Sequence, residues 1–151
     1  MRLWHKSLIS VLPRQQLLAQ WRELCCIAKN IATNGTPNHL LVNKVIQYSD
    51  EDFLRYTNIV LNEMKLRGYS VSDEAWMKFY NNVIKAKYCF RSYEEIDHSF
   101  LYEDWHNDRY FWQCYYNLQE KYDCGGINEE DWLKIENLAA HRPVRLKSCL
   151  E

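Results

Sequence analysis

One carboxylate, Glu23, stands alone among the first 48 residues, which carry six basic side chains: Arg2, Lys6, Arg14, Arg22, Lys29 and Lys44. That segment has a charge of +5 in a chain whose formal total is −1. A lone acid in a basic segment suits chemistry on a polyanion. Glu23 lies in Gln20-Trp21-Arg22-Glu23-Leu24, inside a strong helical pattern. Its neighbours three and four residues away are Gln20, Ala19, Cys26 and Ile27, none of them basic. No local ion pair therefore accounts for it. Its partner must come from elsewhere in the fold or from a ligand.

The chemistry open to such a group is specific. Cleaving an N-glycosidic bond needs a nucleophile at the anomeric carbon and an acid or base beside it. An amine forms a Schiff base with the opened sugar, and elimination then breaks the strand. An α-amino group ordinarily titrates at about 7.7–8.0, so part of it is neutral near pH 7.5. Neighbouring positive charge favours that neutral form. A nearby carboxylate shuttles protons and stabilises developing oxocarbenium charge. The amine of Met1, Arg2, Arg22 and Glu23 supply these parts within the first thirty residues.

The elements that must position them read as helices. At 151 residues, with 47% apolar and 15% aromatic side chains and four glycines, the chain is expected to form one all-α domain over residues 1–151. Leu17, Trp21, Leu24, Cys25, Ala28 and Ile31 make one stripe of a helix over about residues 14–31. Thr33 to Asn38 reads as a break, and residues 40–48 as a short helix or extended connector. Ser49 caps a helix that buries Phe53, Tyr56, Val60 and Met64 and stops at Gly68. Ser72 caps a short helix with Trp76, Phe79 and Tyr80; residues 88–104 read as mixed. A long aromatic helix follows over Asn107–Tyr122, then one from Asn128 to about Ala140, and Pro143 opens a basic tail over 143–151. Three long helices with shorter ones between them are the expected architecture.

Charge is segregated. Residues 49–140 carry a balance of −8, and residues 141–151 return to +2. The six cysteines lack C-x-x-C spacing and read as reduced, mostly buried thiols, with zinc unlikely on these spacings. His98 and His106 lie among Glu94, Glu95, Asp97, Glu103 and Asp104, but in no metal-ligand pattern, so no metal or other cofactor is expected. No signal-peptide core and no membrane-spanning run is apparent, so a cytoplasmic protein is expected, nucleoid-associated if it binds DNA.

Arg22-Glu23-Leu24, preceded by Leu8-x-Ser10-x-Leu12-x-x-Gln15-x-Leu17-x-Ala19, resembles the first helix of the phage pyrimidine-dimer DNA glycosylase/AP lyase (endonuclease V type) family. Phe53-Leu54-Arg55 through Met64-Lys65-Leu66-Arg67-Gly68-Tyr69 is a second match, and Leu118-Gln119-Glu120-Lys121 downstream of His106 a third. The opening Met1-Arg2-Leu3-Trp4 also resembles bacterial relatives of that enzyme. The resemblance covers residues 1–70 and, loosely, 106–122. It implies a base-excision enzyme whose partner is double-stranded DNA with a damaged or abasic site. In that family the nucleophile is the α-amine of a threonine exposed by removal of the initiator Met. Arg2 is too large for the usual removal, so Met1 is expected to stay and supply the amine. The resemblance makes Glu23 the catalytic glutamate, Arg2, Arg22 and Lys121 DNA contacts, and His39 a neighbour of the flipped-nucleotide pocket. Cys26, Gln16 and Asn117 stand where the family has two arginines and a histidine between them, and its aromatic, basic C-terminus is absent. Fewer cations imply weaker phosphate binding with a flatter salt dependence.

Each residue also has a plain structural role to weigh. Glu23 could be a tertiary ion-pair partner, Arg2 and Arg22 solvated charges, and His39 a helix cap. Trp105, Tyr110, Phe111, Trp112, Tyr115 and Tyr116 are more often core at helical spacing than base-stacking groups. Two other functions stay open: a nucleic-acid-binding protein without chemistry, and a protein-interaction module whose basic face docks an acidic partner.

Overall fold

The computed structural model describes residues 1–95 and 99–142. Its long elements are α1 (Arg14–Asn34), α2 (Asp50–Leu66), α3 (Asp73–Ala86), α4 (Asp108–Asp123) and α5 (Glu129–Ala140), with 3-10 turns at Lys6–Val11, Asn43–Gln47, Lys87–Cys89 and Tyr93–Glu95. No strand occurs among the described residues, so the class is all-α.

Short-range chemistry sets the helix limits. Ser49, Ser72, Asn107 and Asn128 each accept a hydrogen bond from the backbone N–H three residues on, at 3.1, 3.2, 3.1 and 2.8 Å. Each cap satisfies an amide that the helix leaves without a partner. Gly35 closes α1 at φ +76° with its N–H on the Ile31 carbonyl, a conformation a side chain would strain. α1 thus runs through Thr33 and Asn34, three residues past the expected end. α3 is 14 residues long rather than short. Within residues 40–48 the 3-10 turn covers Asn43–Gln47, with Val45 buried in it and Val42 buried at its cap.

The buried side chains make one contiguous cluster. α1 and α3 run in the same direction: Arg14 lies over Tyr69, just ahead of α3, at 5.5 Å, and Trp21 packs on Phe79 at 5.3 Å. Phe53 of α2 meets Phe79 and Phe90, both at 5.8 Å, so α2 runs antiparallel to α3. Trp105 and Phe111 are core; Tyr110, Trp112 and Tyr115 are half-buried, and Tyr116 is exposed. The cysteine expectation needs correction: of the five described thiols only Cys114 is buried, while Cys26, Cys89 and Cys124 are exposed. Position decides here, since these three sit on the outer arc of α1 or just past a helix end. Asp97, His98 and the basic tail 143–151 lie outside the described residues. No helix among the described residues is long and apolar enough to cross a membrane.

The N-terminal segment is threaded into this bundle rather than laid on it. Leu3, Trp4, His5, Leu8, Ile9 and Leu12 are all buried. Arg67, at the end of α2, donates to the carbonyls of Leu12 at 2.6 Å and Ser10 at 3.0 Å while Glu63 holds its Nε at 2.7 Å. His5 joins the segment to the start of α4. Its Nδ1 accepts from Ser7 N–H at 3.1 Å, so its Nε2–H donates to the His106 carbonyl at 2.8 Å. The Lys6 N–H donates to His106 Nδ1 at 2.9 Å. His106 therefore carries its proton on Nε2, which has no hydrogen-bond partner and lies among the rings of Tyr56, Tyr102, Trp105 and Tyr110. An N–H facing π clouds is weakly satisfied.

Burial holds both imidazoles neutral. It lowers His5 to about 4, helped by Arg142 and Lys6 against the His106 hydrogen bond, and lowers His106 to about 2. A histidine depressed in the folded state stabilises above its unfolded value near 6.5 and loses that stabilisation as pH falls. Below 6.5 the unfolded chain takes up the protons. The free energy of unfolding should therefore drop by about 1.4 kcal/mol per pH unit for each histidine between pH 6 and 5, about twice that for the pair. Urea denaturation across this window checks it, with His106→Asn expected to halve the slope.

Candidate active site

α1 presents Gln16, Gln20 and Glu23 along one stripe, spaced by four and three residues. That stripe faces residues 2–4. Gln20, fully buried, donates from Nε2 to the Arg2 carbonyl at 2.9 Å and accepts on Oε1 from the Trp4 N–H at 2.8 Å. The Tyr56 hydroxyl, reaching in from α2, lies 2.6 Å from the Trp4 carbonyl and 3.0 Å from Gln20 Oε1. The Tyr110 hydroxyl of α4 donates to the Leu3 carbonyl. Burial pushes Tyr56 and Tyr110 up, so both remain proton donors.

This grip delivers the head of the chain to Glu23. The Arg2 N–H donates to Glu23 Oε2 at 3.0 Å. Glu23 Oε1 accepts no hydrogen bond from the described residues and stays available. Successive backbone nitrogens are at most about 3.6 Å apart, so the Met1 nitrogen lies within about 7 Å of Oε2. The Arg2 guanidinium makes no ion pair with Glu23. It lies 5.7 Å from the Trp4 ring centroid and faces the Tyr110 hydroxyl and the Cys114 thiol. Burial raises Cys114, which keeps that thiol protonated beside the cation.

The structure thus brings Met1, Arg2 and Glu23 together. Arg22 follows on the exposed arc of α1. Lys121 is exposed on α4, on the same stripe as Tyr110, Cys114 and Asn117 and about 10 Å along the axis from Cys114. His39 is not joined to these residues. It sits in the turn beyond α1, where its Nδ1 accepts from the Leu41 N–H at 3.3 Å and its carbonyl from Asn43 at 2.9 Å. Gln16 heads the stripe with its Oε1 buried and unpartnered, beside a hollow of about 230 Å³ shared with Arg14, Gly126, Ile127 and Asn128. No group of three or more histidine, cysteine or acidic side chains that could hold a metal ion forms among the described residues.

Sequence reasoning missed Gln20, Tyr56 and Tyr110 as parts of the site. One signal was present: a glutamine inside the apolar stripe of α1 is a buried amide that needs several partners.

A helical bundle with a carboxylate set against the head of the chain defines the class of fold and site. The chain belongs to the pyrimidine dimer DNA glycosylase family, whose model matches residues 1–77. That stretch holds Met1, Arg2, Gln20, Glu23 and Tyr56, and the family is one of enzymes acting on DNA. Neither the curated proteins nor the solved structures give a match to this chain.

Gln20→Ala removes both halves of the grip. It leaves the Trp4 N–H and the Arg2 carbonyl unpaired, at about 1–3 kcal/mol each where water cannot replace the lost partner. A loss of about 2–4 kcal/mol in urea denaturation is expected. Faster amide exchange at residues 2–4 should accompany it, with α5 unaffected.

Proposed function

We propose that this protein is a DNA glycosylase with AP-lyase activity, working through the α-amine of Met1 and the carboxylate of Glu23 on double-stranded DNA that carries a damaged or abasic site. The observation that carries this reading is the 3.0 Å hydrogen bond from the Arg2 N–H to Glu23. It fixes a carboxylate next to the head of the chain, although the two are 21 residues apart in sequence.

The geometry supports a definite division of labour. The neutral amine attacks C1′ of the damaged nucleotide, and the base departs with the bonding pair. The sugar ring opens as nitrogen forms the imine, and its oxygen takes a proton. Glu23 Oε1, free of protein donors, moves protons at these steps and stabilises positive charge at C1′. Removal of a C2′ proton from the imine then expels the 3′-phosphate. The Arg2 N–H holds Oε2 meanwhile, so the carboxylate keeps one orientation throughout.

Arg2, Arg22 and Lys121 are the proposed phosphate contacts. Arg22 and Lys121 are exposed, and Arg2 is half-buried between Trp4 and α4. His39, in the turn beyond the end of α1, is a proposed further DNA contact. A damaged base is easier to unstack and extrude than a paired one, which supplies part of the selectivity.

The test is borohydride trapping on abasic-site DNA with protein whose intact mass shows a native, unextended Met1. A covalent adduct is expected. A two-residue N-terminal extension should abolish it, and Glu23→Gln should slow it by about 10²–10⁴-fold. No adduct together with intact DNA binding would leave a nucleic-acid-binding protein on the same scaffold. Absence of DNA binding would leave a protein-interaction module.

A further inference from the structure

The acidic balance of residues 49–140 conceals a stretch of opposite sign. Between Glu74 and Glu94 lie Lys78, Lys85, Lys87 and Arg91, and no acid at all. Most of that stretch is α3, and the match to the family ends at residue 77, one position before Lys78.

α3 buries Phe79, Val83 and Ala86. Lys78, Asn82 and Lys85 follow one another by four and three residues along one flank of that buried face. That flank borders α1. Lys78 acts on the Cys25 thiol, opposing the burial and the Cys26 charge that raise it to about 11. On α1, Cys25 adjoins the exposed arc that carries Arg22, Cys26 and Lys29. Because α1 and α3 run in the same direction, Lys85 lies about two turns beyond Lys78 just as Lys29 lies about two turns beyond Arg22. Seven residues of helix span about 10 Å, and packed helices lie about 8–10 Å apart. Four exposed cations thus form a two-by-two array across the α1–α3 seam. None of the four has an ion-pair partner among the described residues. On α1 the nearest acid is Glu23, already bonded to Arg2, and on α3 Glu74, four residues before Lys78, makes no ion pair with it.

We propose that the Lys78–Lys85 flank of α3 is a second phosphate-binding row, which holds the backbone of duplex DNA alongside the lesion and continues the surface begun by Arg22 and Lys29. The proposal rests on DNA being the substrate, but not on amine chemistry. Duplex DNA carries a charge every 1.7 Å or so of its axis, and cations spread over such an array each neutralise a phosphate and release its counterions.

The experiment is binding of undamaged duplex DNA by fluorescence anisotropy across a salt series. It compares the full chain, Lys78→Gln/Lys85→Gln, the charge-keeping Lys78→Arg/Lys85→Arg, and Lys134→Gln on α5 as a control. Removing two contacts should flatten the slope of log K against log salt by about 1.8 and weaken binding about 30-fold at 0.15 M salt. The arginine pair should restore both, and Lys134→Gln should change neither. Thermal melts confirm that the variants are folded. A glutamine pair with the parent slope would overturn the proposal and leave the glycosylase reading untouched. A parent chain without salt-dependent DNA binding would overturn both. Normal binding with no trapped adduct would sink the amine mechanism alone.

Discussion

The Gln20 carboxamide holds the head of the chain in place. It is the one side chain on α1 that both donates to and accepts from the N-terminal segment, with the Arg2 carbonyl on one side and the Trp4 N–H on the other. A carboxylate could not donate, and a leucine could do neither. First residues ordinarily fray. Here they are ordered because hydrogen bonds from α1, α2 and α4 converge on them. Glu23 stands one turn beyond Gln20 on the same rigid helix, so the amide that seats the segment also sets its distance from the carboxylate.

The same helix separates two kinds of surface. Its inner arc buries Leu17, Trp21, Leu24, Ile27, Ala28 and Ile31, while Arg22, Cys26 and Lys29 remain on the outside. Glu23 lies at the boundary, half-buried, where a carboxylate is partly desolvated yet still open to solvent. Carboxylates elsewhere gather in the first turns of α2, α3 and α5, where they complement helix N-termini. That leaves the outer arc of α1, and α3 beyond its first turn, free of negative charge.

Much of this was legible in the sequence, and the boundary is physical. Caps at Ser49, Ser72, Asn107 and Asn128 and the stop at Gly68 are short-range chemistry, readable within four residues. Glu23 could be singled out as a candidate because charge is additive along a segment. The hydrogen bonds that seat residues 2–5 were not, since the pairs Trp4–Gln20, Trp4–Tyr56 and Leu3–Tyr110 are separated by 16, 52 and 107 residues and no local pattern encodes them. The cysteines were misjudged because residue type was used where helix position decides. The basic flank of α3 was hidden by averaging charge over a window that mixed capping acids with seam lysines.

The threading of the first residues against α4 also has a consequence for synthesis. His5 bonds to His106, 101 residues later, and Leu3 to Tyr110, 107 residues later. A chain emerging from the ribosome completes α1 and α2 early, but cannot complete the hydrogen bonds of residues 3–5 until α4 has been made. Such contacts of high sequence separation form late. Residues 3–5 are thus among the last to reach their places, although they precede every long helix in the chain.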